Sequence, residues 1–206
     1  MVKIEIWSDI NCPFCYIGKR HLEAALETFS EKVEIEWKSF ELDPTANPPK
    51  GADQTELLAK KYGRTVEWAK EMNNNITDMA RQSGLDFHMD KLVPANSFHA
   101  HRLIHLAKVQ GKQDQMKERL LKARFTEGLD IGDKAILLKL AQDVGLSDAS
   151  DVLNGTLFEN EVRADENMAR EFGISGVPFF VFNRKFALSG AQPIEAFKEV
   201  LKTARQ

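Results

Sequence analysis

The chain carries two cysteines, and only Pro13 and Phe14 lie between them: Cys12-Pro13-Phe14-Cys15. Thiols at this spacing can bond to each other. One attacks a substrate disulfide, and the other resolves the mixed disulfide that results. The attacking form is the thiolate. A helix N-terminus favours it, because backbone N–H groups lack partners there and the helix dipole is positive. If a helix begins at the pair, the first sulfur lies at its start and the second one turn later. Cys12 is therefore assigned as nucleophile and Cys15 as resolving thiol, with a Cys12 pKa expected below that of a free cysteine. The competing chemistry is zinc, which usually takes four ligands. No third cysteine exists, so no metal is expected. A disulfide framework would need more cysteines, more widely spread.

A second candidate is Gly176-Val177-Pro178, just before the apolar run Phe179-Phe180-Val181-Phe182. A proline there suits a cis peptide facing the Cys pair, with backbone polar groups open to an extended peptide. Taken by itself, an ordinary trans proline at a strand start is the simpler reading. Asp9 lies near Cys12 and reads either as a proton acceptor for Cys15 or as a loop or helix-capping residue. His101 and His105 share a helix face and His99 points elsewhere. With no accompanying carboxylate pattern, they read as ordinary core or surface histidines. Trp7 and Trp37 fall in strand patterns and read as core. Tyr16 either edges the site or packs.

The surrounding pattern positions these groups. Val2, Ile4 and Ile6 alternate with Lys3 and Glu5, a strand. Phe14, Ile17, Leu22, Ala25, Leu26 and Phe29 then recur at helical spacing, with Pro13 suited to the first turn. Val33, Ile35 and Trp37 alternate again. Pro44, Pro48, Pro49 and Gly51 mark a break. From about Gln54 to Val144 the stripes are helical, with Gly84, Gly111, Gly128 and Gly145 as stops. A helix follows over about Phe158–Phe172. Asn183-Arg184-Lys185 then turns the apolar run back into Phe186-Ala187-Leu188. Pro193 opens a last helix. The sequence thus predicts an α/β protein: βαβ, a helical block, then αββα with a mixed sheet. Residues 1–50 and 155–206 are assigned to the α/β domain, and 51–154 to an inserted all-helical domain.

The chain has 206 residues, 43% of them hydrophobic, and a formal net charge of −3. A sizeable core can form, and no basic arm offers itself to nucleic acid. No apolar run reaches the roughly 18 residues that span a bilayer. The opening Met1-Val2-Lys3-Ile4-Glu5-Ile6-Trp7 enters a strand directly and lacks a secretory pattern, so a cytoplasmic location is expected.

Trp7-Ser8-Asp9, Cys12-Pro13-Phe14-Cys15-Tyr16-Ile17-Gly18 and Gly176-Val177-Pro178-Phe179-Phe180 resemble the DsbA family of thiol–disulfide oxidoreductases. The segment from Asn96 through His101-Arg102-Leu103 and Phe125-Thr126-Glu127-Gly128 resemble its cytoplasmic FrnE-type branch. The resemblance spans the whole chain. It implies a thioredoxin-like fold with a large helical insertion, a cis Pro178 and dithiol chemistry on protein or small-molecule disulfides. It also implies a peptide groove beside the sulfurs, with Phe14, Val177 and Pro178 facing substrate. No bound cofactor is implied, with glutathione as a candidate redox partner. Strongly oxidising members have His where this chain has Phe14, so a weaker oxidant is expected, resting as dithiol in a reducing compartment. Two other functions compete. One is a glutathione-dependent isomerase or transferase of the chromene-carboxylate isomerase or kappa type, against which Cys15 counts. The other is a chaperone-like binding module, which has no need of the Cys motif.

Overall fold

The computed structural model describes residues 1–205. The first strand, β1 (Val2–Ser8), leads through Cys12 into α1 (Pro13–Leu26), and the chain returns as β2 (Val33–Ser39), parallel to β1 with Val2 opposite Val33 and Ser8 opposite Ser39. A parallel pair needs a crossover, and α1 provides it. The other edge of β1 is filled from the far end of the sequence. Strand β3 (Phe179–Phe182) pairs antiparallel with it, Ile4 opposite Phe182 and Trp7 opposite Phe179, and β4 (Phe186–Ser189) completes the order β2-β1-β3-β4.

The sequence pattern suggests that β1 buries one face. In fact it is central and covered on both, so Glu5 is buried as well. Its carboxylate accepts from Arg184 Nε and Nη2, each at 2.8 Å. Arg184 sits in the hairpin turn, where it and Asn183 have positive φ, a conformation that tight hairpins demand.

Between β2 and α8 (Glu159–Glu171) stand six α-helices, α2 (Gln54–Tyr62), α3 (Val66–Gln82), α4 (Phe98–Val109), α5 (Gln113–Phe125), α6 (Lys134–Asp143) and α7 (Ala149–Asn154), with a short 3-10 turn at Met89–Lys91. A final helix, α9 (Ile194–Ala204), packs beside α1. The architecture is a thioredoxin fold carrying extra helices. Local chemistry explains several boundaries. Asp53 and Asp133 cap α2 and α6 with carboxylate oxygens, and Thr65 caps α3 with its hydroxyl. Gly145, at φ 70°, lets Leu146 N–H return to the Ala141 carbonyl and close α6.

The short α7 is absent from the sequence reading, because its apolar content is too brief for a period. It is held from outside. The buried Arg102 of α4 donates to the carbonyls of Val152, Gly155 and Leu157, the last at 2.8 Å.

The helical block and the sheet share one core. Val2, Ile4 and Ile6 of β1, Leu22 of α1 and Phe197 of α9 belong to the same apolar cluster as Leu103, Leu120, Leu137 and Val152. Trp7 and Trp37 are both buried, as the strand patterns imply.

Polar groups join the same layers. Asp165 of α8 accepts the Ser39 N–H at 2.9 Å and lies 3.2 Å from both His105 Nε2 and Lys38 Nζ, while its own carbonyl accepts the Trp7 indole at 2.9 Å. Removing this carboxylate leaves the buried Ser39 N–H without its acceptor, while Lys38 keeps Glu36 at 2.7 Å and His105 keeps the Ser39 hydroxyl. Asp165→Ala is therefore expected to cost about 1–3 kcal/mol in denaturant unfolding.

Candidate active site

The site begins at the C-terminal end of β1, where three residues separate Ser8 from the cysteine that caps α1. Cys12 occupies the N-cap, Pro13 the first helical position, and no acidic residue lies in the first turn. No side chain caps this helix start. Both cysteines are free thiols. Cys15 is completely buried, and Cys12 retains 4% exposure.

The loop before β3 closes over this point. The Val177–Pro178 peptide bond is cis, as the family resemblance implies. The Cys12 thiol donates to the Val177 carbonyl at 3.4 Å. Helix α1 approaches the same loop through Gly18, where an added Cβ would lie 3.1 Å from both Pro178 Cγ and the Phe180 ring. Three of the residues singled out in the sequence, Cys12, Val177 and Pro178, thus meet at one place, with Cys15 behind them. Phe14 stands exposed between the cysteines.

The two sulfurs ionise as a pair, and not in the order that the helix-start argument gives. The Cys12 thiol is pushed well up by its hydrogen bond with Cys15, by burial and by the charge of Cys15. At Cys15, burial alone would raise the thiol. The hydrogen bond from Cys12, the charge of Lys117 and the Ser8 hydroxyl outweigh it and hold Cys15 below its ordinary value. This runs against the expectation of a depressed Cys12: in the dithiol, the hydrogen bond from Cys12 and then the charge of Lys117 favour ionisation of the inner sulfur over the outer one.

Asp9 is neither a helix cap nor free to take a proton at neutral pH. Its oxygens accept the Leu42 N–H at 2.8 Å and the Asn11 N–H at 3.2 Å, and His101 Nε2 lies 3.4 Å away. Burial would raise this carboxyl, but His101 and the Leu42 N–H outweigh it and set the pKa at about 2. Burial pushes His101 down, so it serves Asp9 as a neutral imidazole that donates from Nε2. His105 instead meets Ser39 and Asp165, while His99 lies beside Arg102. The two facing histidines therefore serve different carboxylates. Tyr16 packs on Phe87 and donates to Glu118 at 2.6 Å.

The sequence reading missed Lys117. It lies on α5 and is 1% exposed, with Nζ 3.4 Å from the Ser8 carbonyl. A signal was available: Lys117, Leu120, Leu121 and Arg124 share one helix face, and a lysine among leucines on an inward face is unusual.

The described chain has no helix long and apolar enough to cross a membrane. The family model for the DSBA-like thioredoxin domain matches residues 3–202. The uncharacterized protein YwbO of Bacillus subtilis (strain 168) is 31% identical over 204 residues, 97% of this chain and 96% of that protein. Among solved structures, the probable DsbA oxidoreductase SCO1869 from Streptomyces coelicolor superposes with a TM-score of 0.92 at 36% identity, over 100% of this chain and 90% of that one. The cytosolic disulfide reductase DsbM from Pseudomonas aeruginosa with GSH shares the fold, with a TM-score of 0.68 at 19% identity over 98% of each chain.

Two outcomes are expected of this geometry. Asp9 stabilises the fold fully above pH 3.8 and loses that contribution as pH falls through about 2. The difference is about 2–3 kcal/mol, and Asp9→Asn should remove it from unfolding curves measured between pH 5 and pH 2. Gly18→Ala forces the Cβ against Pro178 and Phe180. Overpacking of this kind costs about 1–3 kcal/mol, readable as a lowered denaturant midpoint.

Proposed function

Because the chain belongs to the family of DSBA-like thioredoxin domains, we propose that it is a thiol–disulfide oxidoreductase that uses Cys12 and Cys15 on protein or small-molecule disulfides. The observation that carries this reading is the meeting of the Cys12 thiol, the more deeply buried Cys15 and the Val177–Pro178 carbonyl edge at an uncapped helix start. In the proposed cycle, Cys12 passes its proton to the Cys15 sulfur along the hydrogen bond they share, and the Cys12 thiolate so formed attacks one sulfur of the substrate disulfide and expels the other as a thiolate. Cys15 then attacks Cys12 Sγ, and the second substrate sulfur leaves. The Cys pair is oxidised by two electrons and the substrate reduced by two; run backwards, the same steps oxidise a dithiol.

Val177 and Pro178 are the proposed substrate-facing residues. An extended peptide laid beside Cys12 would find backbone polar groups in this loop, and the exposed Phe14 would offer it an apolar contact. Within the family we assign the FrnE-type branch on Asn96, His101-Arg102-Leu103 and Phe125-Thr126-Glu127-Gly128. These residues have structural duties that support such a grouping: His101 braces Asp9, Arg102 anchors the carbonyls of α7 and its exit, and Gly128 lies against the Lys91 backbone at φ 66°. Phe14 between the cysteines, with no imidazole to stabilise a Cys12 thiolate, supports work from the dithiol state as reductase or isomerase. A reducing, cytoplasmic setting follows from that. Glutathione is the proposed small-molecule thiol, a reading encouraged by DsbM, whose fold is shared and whose structure was solved with GSH. The retained Cys15 sets this reading above a glutathione-dependent isomerase, which needs no resolving thiol.

Turnover of insulin or glutathione disulfide tests the proposal. Cys12→Ser should abolish it, and Cys15→Ala should accumulate a mixed disulfide on Cys12. Activity that survives Cys12→Ser sinks the reading. A redox equilibrium with glutathione as oxidising as that of the strong oxidants would remove the preference for reduction or isomerisation.

A further inference from the structure

Lys117 is a buried cation with no anion assigned to it. Neighbouring buried cations have more partners, and Arg124 on the same face of α5 at least donates to the Val93 carbonyl, although its Nε has no partner among the described residues. Lys19 meets Glu23, Asp114 and Glu118. Arg102 donates to three carbonyls. Lys117 forms no salt bridge among the described residues. It has the Ser8 carbonyl at 3.4 Å and the face of Trp37 at 5.4 Å. The nearest carboxylate on the β1–α1 connection, Asp9, is already taken by two backbone N–H groups and His101. Beside Lys117, the Ser8 hydroxyl is buried and has no hydrogen-bond partner among protein oxygen and nitrogen atoms. An unpaired ammonium in such surroundings is costly, so a counter-charge is called for. Cys15, completely buried on the first turn of α1, is the ionisable group that remains.

We propose that Lys117, contributed by the helical insertion, is the counter-ion of the Cys15 thiolate and the acceptor of its proton when Cys15 resolves the mixed disulfide. The assignment rests on the dithiol chemistry proposed above and names the residue that drives its second half. Lys117 is a positioning residue in this scheme: it acts on substrate only through Cys15. With Cys12 tied to substrate, the Cys15 S–H bond breaks and its proton passes to the Lys117 amine. The thiolate attacks Cys12 Sγ, a sulfur–sulfur bond forms between the cysteines, and the substrate sulfur leaves with the electron pair. The proton then moves from the Lys117 ammonium through solvent to the departing thiolate, which restores the amine. Burial depresses the lysine to about 8, so that amine and ammonium are both populated close to neutral pH. The charged and titratable groups facing it are Cys12, Cys15 and Lys19 from α1, Asp9 from the preceding loop and His101 from α4.

The test follows the resolving step by rapid mixing of the dithiol protein with glutathione disulfide, acid quench and mass analysis. Lys117→Met keeps an unbranched side chain one atom shorter and removes its charge. Resolution should slow about tenfold at pH 7, as expected for a one-unit rise in the Cys15 pKa, and its pH midpoint should move upward. The first attack by Cys12, measured in the Cys15→Ala background, should slow less than the resolving step, since Lys117 acts more strongly on Cys15 than on Cys12. A folded Lys117→Met with the resolution rate and pH profile of the unsubstituted protein overturns the proposal. If the variant does not fold, lysine side-chain NMR of the unsubstituted protein decides. Lys117 should titrate at higher pH in the dithiol than in the disulfide form, and equal midpoints overturn the assignment. The disulfide form for that comparison is made with diamide, so a chain that fails to react with glutathione disulfide counts against the proposed function and leaves the Lys117 comparison readable.

Discussion

The first turn of α1 holds both sulfurs and offers its backbone N–H groups to no side-chain oxygen. Most helices begin on Ser, Thr, Asp or Asn, which satisfy part of that demand. Here the N-cap is Cys12, and the helix starts with its partial positive charge turned toward sulfur. The neighbouring parts accommodate this vacancy. Proline at the first position removes one donor that would otherwise lack a partner. Asp9 turns away from the helix to brace Leu42 and Asn11. The Val177 carbonyl supplies the acceptor that the Cys12 thiol needs.

The helical block is part of the same construction. A shared apolar cluster seals it to the sheet, and polar contacts fix its orientation. His101 and His105, one turn apart on α4, reach into the α/β layers to Asp9 and Asp165. Gln113 and Asp114 of α5 bind the edge strand through the backbone and indole of Trp37. Buried hydrogen bonds of this kind contribute about 1 kcal/mol each when made. Their greater effect is to penalise any other docking of the helices, which would strand the same groups without partners.

Much of this was legible in the sequence, for definite reasons. The alternation in β1 and β2, the helical spacing after Cys12 and the turn at Asn183-Arg184 set local structure directly, because side-chain periodicity follows backbone geometry. The Cys motif could be read because its chemistry needs only two residue types at one spacing. What stayed hidden depends on contacts between distant segments. Glu5 looked like the polar side of a strand until β3 and Arg184 covered it. His101 and His105 could be placed on one face, but nothing along the chain says which carboxylate each one meets. Lys117 looked like one charge among many on a mixed helix, since Asp114, Glu118 and Arg119 surround it in sequence. The balance between the two sulfurs was hidden for the same reason. The helix-start argument is local, whereas one of the groups that favours the inner sulfur, the Lys117 cation, comes from about a hundred residues downstream.

The strand order has a consequence for how the chain is made. A ribosome delivers β1, α1 and β2 first, and these can pair at once. The second edge of the central strand then stays open while the six helices of the block emerge, because its partner, β3, begins only at Phe179. An unpaired strand edge of this sort invites association with other chains, and closing so long a loop delays folding. The loop that roofs Cys12 arrives just ahead of β3. A nascent chain therefore carries Cys12 without its Val177 partner until about the last seventh of the sequence emerges.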